Sequence, residues 1–269
     1  MKRFFSGTFT FLTLIVIVGL IYLYIHSWGT DESIDVAPTE NHQAVSVKQP
    51  VIETWVGDLD NSGYDVSFPQ CRQSLPEAFV GFVIIGLNNG RPFTGNPCFA
   101  RQWEWAKSHD AAAVYINMDD TGEYSPEDYG RRIGQDAVAR LAMQRVPQGT
   151  PVWLDVERNN AWDSAPRAVT VINATMVTLA NAGYPVGIYA APAHWFEITI
   201  GTKVKVPIWY ALGPYPTTQQ GVMAAKKACT TRGFGGAKPS IVQFVSGVGE
   251  QHLDRNIMCR NPTGLVARQ

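Results

Sequence analysis

The sequence predicts an α/β protein, a single TIM-like (β/α) barrel preceded by an N-terminal transmembrane helix. Three observations carry that reading. Short apolar runs alternate with helical patterns from residue 51 onward. No Gly-rich dinucleotide loop follows the first of them, as a doubly wound nucleotide fold would need. An uncharged apolar stretch of membrane-spanning length opens the chain.

That stretch follows Lys2 and Arg3 and is rich in Leu, Ile, Val and Phe over residues 4–26. It exceeds the apolar region of about 7–15 residues usual in a cleaved signal peptide, which favours an uncleaved anchor. Ser27-Trp28-Gly29, with small residues at both ends of a triplet, leaves cleavage and secretion as the alternative. The two cations before the span and Asp31, Glu32 and Asp35 after it place residues 1–3 in the cytoplasm and the rest outside the cell membrane. Residues 27–50 are polar and Pro-containing, without a sustained apolar period, and read as an extracytoplasmic linker to a domain at 51–269.

Within the domain, Gly63-Tyr64-Asp65-Val66-Ser67 suggests a short opening strand ending near Asp65, although Asp beside Gly and Ser is by itself a turn or cap signal. Apolar, β-branched runs follow at 79–86, 112–116, 152–156, 186–190, 206–211 and 241–245. Most are apolar on both faces, as parallel strands buried beneath helices must be. Ser125 before Pro126 is a helix start, and Tyr129, Ile133, Ala137 and Leu141 recur every fourth residue towards Arg145. A second helix is expected over 166–181, stopped by Gly183 and Pro185. Residues 233–238, glycine-rich but without P-loop spacing, read as a flexible loop.

A net charge of −1 without dense Lys/Arg clusters excludes a nucleic-acid partner, which requires many phosphate-neutralising cations. Cys71, Cys98, Cys229 and Cys259 suit an oxidising compartment. Three pairings are open to them, and the two early and two late positions suggest Cys71–Cys98 and Cys229–Cys259. No CxxC pair occurs, and His109, His194 and His252 lack metal-ligand spacing, so neither a metal nor another cofactor is expected. The calcium-like run at 58–63 fails at its twelfth position, where Pro69 replaces the required Glu. There is no Gly-x-Ser-x-Gly elbow, and the sequon Asn173-Ala174-Thr175 falls inside the second predicted helix.

The chemistry concentrates in Trp153-Leu154-Asp155-Val156-Glu157, where an apolar strand runs into two carboxylates spaced i, i+2. Strand alternation puts them on one face with Cβ atoms roughly 6–7 Å apart. That lies within the window of about 5–9.5 Å used by paired glycosidase carboxylates. Strand ends are also where barrels keep their reactive groups. Tyr189, Trp195, Trp209 and Tyr210 lie at or after predicted strand ends and could stack on sugar rings, although such rings more often fill a core.

The order of segments along residues 60–258 resembles the family 25 glycoside hydrolases, muramidases that cut peptidoglycan. The resemblance rests on Tyr64-Asp65-Val66-Ser67, Leu154-Asp155-Val156-Glu157, Gly187-Ile188-Tyr189 with Trp195, Val206-Pro207-Ile208-Trp209, Gln243-Phe244, and Leu253-Asp254-Arg255-Asn256. It implies a barrel whose four active-site acids are Asp65, Asp155, Glu157 and Asp254. By the same resemblance Glu157 is the general acid. Asp155 steadies a substrate 2-acetamido group that attacks the anomeric carbon. The pattern departs at Gly86-Leu87-Asn88-Asn89-Gly90, which lacks the family's glutamate, and at the third strand, where Asn117 stands in place of an aromatic. Asn88 and Asn117 at these departures, and Gln243 in the closing-strand motif, are expected to contact substrate. The expectation is a monomeric, membrane-anchored hydrolase of peptidoglycan or another amino sugar polymer. The alternatives are a non-catalytic wall-binding or scaffold domain, and a glycosidase for another polysaccharide.

Overall fold

A computed structural model describes residues 44–49, 61–78, 80–246, 253–259 and 267–268. The predicted span and most of the predicted linker lie outside these residues. So do Asp58 to Asp60 of the calcium-like run. No helix among the described residues is long and apolar enough to cross a membrane.

Eight strands close into a barrel: β1 (Ser62–Val66), β2 (Phe82–Gly86), β3 (Ala111–Asn117), β4 (Val152–Asp155), β5 (Val186–Ala190), β6 (Ile208–Tyr215), β7 (Pro239–Ser246) and β8 (Leu253–Met258). Neighbours from β1 to β7 pair in parallel, and β8 closes the ring antiparallel to both β7 and β1. A ninth strand, β9 (Ala267–Arg268), pairs with the start of β3. The helices are α1 (Phe99–Ala106), α2 (Pro126–Met143), α3 (Ala165–Asn181), α4 (Pro192–Thr199) and α5 (Thr218–Ala228).

The long elements follow their sequence signals. Ser125 caps α2 by accepting from the Asp128 amide at 3.3 Å, and Tyr129, Ile133, Ala137 and Leu141 are buried on one face. Gly183 takes φ 87° just beyond α3, the left-handed turn that glycine permits. The strands β2, β4 and β5 are buried at every residue. Alternation sorts them into two shells: Val83, Ile85, Leu154 and Ile188 pack outward against the helices, while Phe82, Ile84, Trp153, Trp209, Ile241 and Met258 fill the barrel interior. Each such side chain contributes about 1.5–3 kcal/mol on burial.

The interior has little slack. Gly187 faces the Trp153 ring so closely that a methyl group would overlap it. Gly187→Ala is therefore expected to destabilise the domain by about 1–3 kcal/mol through overpacking. Urea unfolding would register this as a lower midpoint, and an unchanged midpoint would mean that the barrel relaxes freely there.

Two expectations need correction. Residues 44–49 are not free linker: Val45 is buried, bridges Val204, and exchanges backbone hydrogen bonds of 3.0 Å with Lys203 and Lys205. The glutamine at 49 donates to the Val186 carbonyl at 2.6 Å and accepts from the Val186 amide at 2.8 Å. Val45, the partly buried Val47 and the Gln49 amide suffice to dock this strap where a whole segment's composition reads as solvated. Residues 233–238 are likewise not loose, because Phe234 in a short 3-10 turn (Phe234–Gly236) is buried against Trp195. The helix α2, by contrast, runs towards Arg145 as expected, ending at Met143 with Arg145 at φ 56° just beyond it.

The early and late cysteines pair as Cys71–Cys98 and Cys229–Cys259. The first ties the 3-10 turn after β1 (Phe68–Arg72) to the start of α1, and the second ties the end of α5 to the end of β8. Their partners stand 27 and 30 positions apart. Loops of that size give each cross-link roughly 3.6 kcal/mol in a chain-entropy account.

Candidate active site

At the C-terminal ends of the parallel strands the apolar interior gives way to a polar layer beneath a cleft of about 330 Å³. Asp65, Asp155, Glu157 and Asp254 all line it, together with Tyr115, Asn117, Tyr189, Trp209 and Gln243.

Asp65 on β1 lies directly opposite Asp254 on β8, so both face the same side of the antiparallel pair. Its carboxylate accepts from Gln243 Nε2 at 3.0 and 3.1 Å and from Asn256 Nδ2 at 2.7 Å. Each amide is held from behind: Gln243 Oε1 accepts from the Tyr189 hydroxyl and Asn256 Oδ1 from Trp209 Nε1, both at 2.8 Å. The Tyr189 and Trp209 rings meet edge to face with centroids 4.5 Å apart. The chain Tyr189–Gln243–Asp65–Asn256–Trp209 fixes the carboxylate and the cleft aromatics as one unit. Burial, then the Asp254 charge, raises the Asp65 pKa well above the usual carboxylate range despite these amide donors.

Asp155 closes β4 beside Asn117 in register. Its Oδ2 accepts from Asn117 Nδ2, whereas Oδ1 is buried without a hydrogen-bond partner among the described residues. Asn117 is held by a reciprocal pair of 3.0 Å bonds with Asn88. Burial first, then the neighbouring Glu157 and Asp65 charges, raises the Asp155 pKa well above its ordinary value.

Glu157 stands two residues beyond β4, and its backbone carbonyl accepts from Trp162 Nε1 at 2.8 Å. Its Oε1 lies 3.6 Å from Nδ1 of His194 in α4. The next residue, Arg158, turns away to Glu197 at 3.4 Å. Burial raises the Glu157 pKa, and the His194 charge works against that shift.

The expected binding residues divide. Tyr189, Trp209, Asn117 and Gln243 reach the cleft. Trp195 does not: it is 1% exposed in the shell between helices and sheet, and its Nε1 donates to the Thr202 carbonyl. Tyr210 does not either, because adjacent strand residues face opposite sides, and with Trp209 inward Tyr210 turns out to lie parallel to Phe234. Asn88 stands behind Asn117, outside the cleft wall.

Sequence reasoning missed Tyr115, Asn256 and His194. Tyr115 supplies the third-strand ring one inward position before Asn117 and meets Trp209 at 6.1 Å. Counting back two residues from Asn117 would have found it. Burial, then Asp65 and Asp155, keeps its hydroxyl protonated far above the ordinary range. No group of three or more His, Cys, Asp or Glu arranged to hold a metal occurs among the described residues.

A family model described as lysozyme-like protein 1 matches residues 110–232. No curated protein matches the sequence. Among solved structures, the modular autolysin LytC from Streptococcus pneumoniae, in complex with a synthetic peptidoglycan ligand, superposes with a TM-score of 0.52 at 15% identity, covering 73% of this chain. This chain spans 46% of the autolysin's length. The muramidase from Acremonium alcalophilum superposes with a TM-score of 0.50 at 19% identity, covering 73% of this chain and 92% of that one. The domain therefore has a lysozyme-like barrel fold, as its resemblance to family 25 implies.

Proposed function

We propose that this protein is a glycoside hydrolase of peptidoglycan, or of a closely related amino sugar polymer, held at the outer face of a membrane by residues 4–26 and acting as a monomer. One observation carries the reading: four carboxyl groups from three segments distant in sequence, β1, the end of β4 with the loop after it, and β8, line one cleft, with Glu157 biased towards its protonated form. Like charges gathered in a buried mouth oppose stability and are accounted for by proton and oxocarbenium chemistry.

In this mechanism the Glu157 carboxyl protonates the glycosidic oxygen as the bond to the anomeric carbon breaks. The substrate's acetamido oxygen attacks that carbon, and the free Oδ1 of Asp155 accepts the acetamido N–H, orienting the nucleophile. Water then adds to the cyclic intermediate and gives its proton to the Glu157 carboxylate, restoring the acid. Asp65 and Asp254 face the developing positive centre, whose charge favours their ionised forms. The peptidoglycan ligand of the autolysin complex supports the polymer class.

The direct test is release of reducing ends from purified peptidoglycan, with the products identified by mass spectrometry. No release from any wall type would overturn the reading. Turnover should also fall as pH rises through the Glu157 pKa, because the ionised form has no proton to donate, and burial places that limb above the pH of an ordinary glutamate. His194→Gln removes the opposing charge, so the alkaline limb should move to higher pH. A pH–rate profile that stays in place would show that His194 does not act on the acid.

A further inference from the structure

Each helix of a β/α barrel returns the chain to the N-terminal ends of the strands, so the connections entering β2 to β7 share the end of the barrel opposite the cleft. Those connections hold the exposed cations Arg145, Lys203, Lys205, Arg232 and Lys238, and Lys48 of the docked strap joins them. Lys107 is neutralised by Glu104 at 2.7 Å. Against this, the same connections hold only Glu77 and Asp110 as exposed acids among the described residues. In a chain of net charge −1 this is a marked separation, since the cleft end holds Asp65, Asp155, Glu157 and Asp254.

The same end exposes large apolar side chains. Met143 closes α2 at 68% exposure, and Ile200, just beyond α4, is 62% exposed. Ile200 takes φ 51°, a left-handed conformation that a β-branched residue rarely adopts, so neither its backbone nor its hydration favours this placement. Phe196, 63% exposed, lies beside Gly201 in the same turn. The strap at 44–49 is fixed there by Lys203, Lys205 and Val186, and residues 27–43 separate it from the apolar stretch at 4–26.

We propose that this basic face, studded with Phe196, Ile200 and Met143, docks on an anionic lipid bilayer. The inference rests on the membrane-attached part of the function proposed above. Cations draw the face to the lipid surface and the apolar side chains enter the headgroup region, the combination that holds proteins at such surfaces. The acidic cleft end is repelled, so the cleft opens away from the membrane, towards an external polymer.

The test uses the full chain reconstituted in phosphatidylcholine vesicles with or without phosphatidylglycerol, read by amide hydrogen exchange. Exchange across residues 196–206 should slow by about fivefold or more when phosphatidylglycerol is present. It should recover in about 0.5 M salt. The triple variant Arg145→Glu, Lys203→Glu, Lys205→Glu should abolish the effect. Should that variant fail to fold, the double variant Phe196→Ser, Ile200→Ser carries the same expectation at two exposed positions. Equal exchange in both vesicle types would overturn the proposal. So would protection by a soluble anionic wall polymer with none from lipid. Peptidoglycan hydrolysis measured on the same preparation separates the two readings: hydrolysis without lipid-dependent protection removes the docking alone, and protection without hydrolysis removes the hydrolase alone.

Discussion

Glu157→Gln should lower the release of reducing sugar from purified peptidoglycan by a factor of about 10²–10⁴, the usual contribution of a positioned general acid. The amide keeps the size and shape of the carboxyl group but has no proton of suitable acidity to give the leaving oxygen. The fold should be untouched. The Glu157 side chain is a quarter exposed, and the bond that fixes this loop, from Trp162 Nε1, is made to the backbone carbonyl. Circular dichroism and thermal unfolding should therefore match the wild type. Undiminished turnover would remove Glu157 as the acid. A lost fold would instead assign it a structural role.

Asp155→Asn should uncouple activity from stability. Turnover should fall by a similar factor, because with its amide oxygen on Asn117 Nδ2 the new side chain would turn an NH2 group, not an acceptor oxygen, towards the acetamido N–H. The melting temperature near neutral pH should rise. Asp155 is buried beside Glu157 and Asp65, and its pKa is raised in the fold. A raised pKa means that the folded state binds the proton more tightly than the unfolded chain does. That contribution to stability is fully present below the unfolded-state pKa and is lost as pH rises through the folded-state value. Each tenfold difference in proton affinity is worth about 1.4 kcal/mol. For a domain of this size 1 kcal/mol is about 2–4 °C in Tm. A neutral Asn at the same place removes the burden, and its amide oxygen can still accept from Asn117 Nδ2. The gain over wild type should shrink towards acid pH, where Asp155 is itself protonated. A gain independent of pH, or a loss of stability at neutral pH, would refute this electrostatic account.

The parts of the barrel legible in sequence are those whose local pattern is strong. The buried strands β4 and β5 announce themselves because parallel strands under helices are apolar on both faces. The helix α2 combines a cap, an N-terminal proline and a four-residue period. The short helices α1 and α4, eight residues each, have too few turns to establish a period. The strand β8 reads as a loop by itself because Asp254 and Asn256 are polar where an interior strand is expected to be apolar. Its partners explain the exception: Asn256 is satisfied by Asp65 and Trp209.

The sequence by itself supplied the four candidate acids, their collinear order and the phase of β4 as far as Asp155. These follow from strand periodicity and from a motif resemblance, both of which are local. Glu157 lies two residues beyond that strand and reaches the cleft from the loop. Only the tertiary structure decided which side chains meet. Gln243 and Asn256 lie 178 and 191 positions from the Asp65 they hold. The inward turn of Trp209 and the outward turn of Tyr210 depend on the phase of one strand within the closed barrel, as does the placement of Tyr115 beside the cleft. Proton affinities were decided there too. Each carboxyl group is ordinary in sequence and becomes unusual only when barrel closure withdraws water and sets other carboxylates beside it.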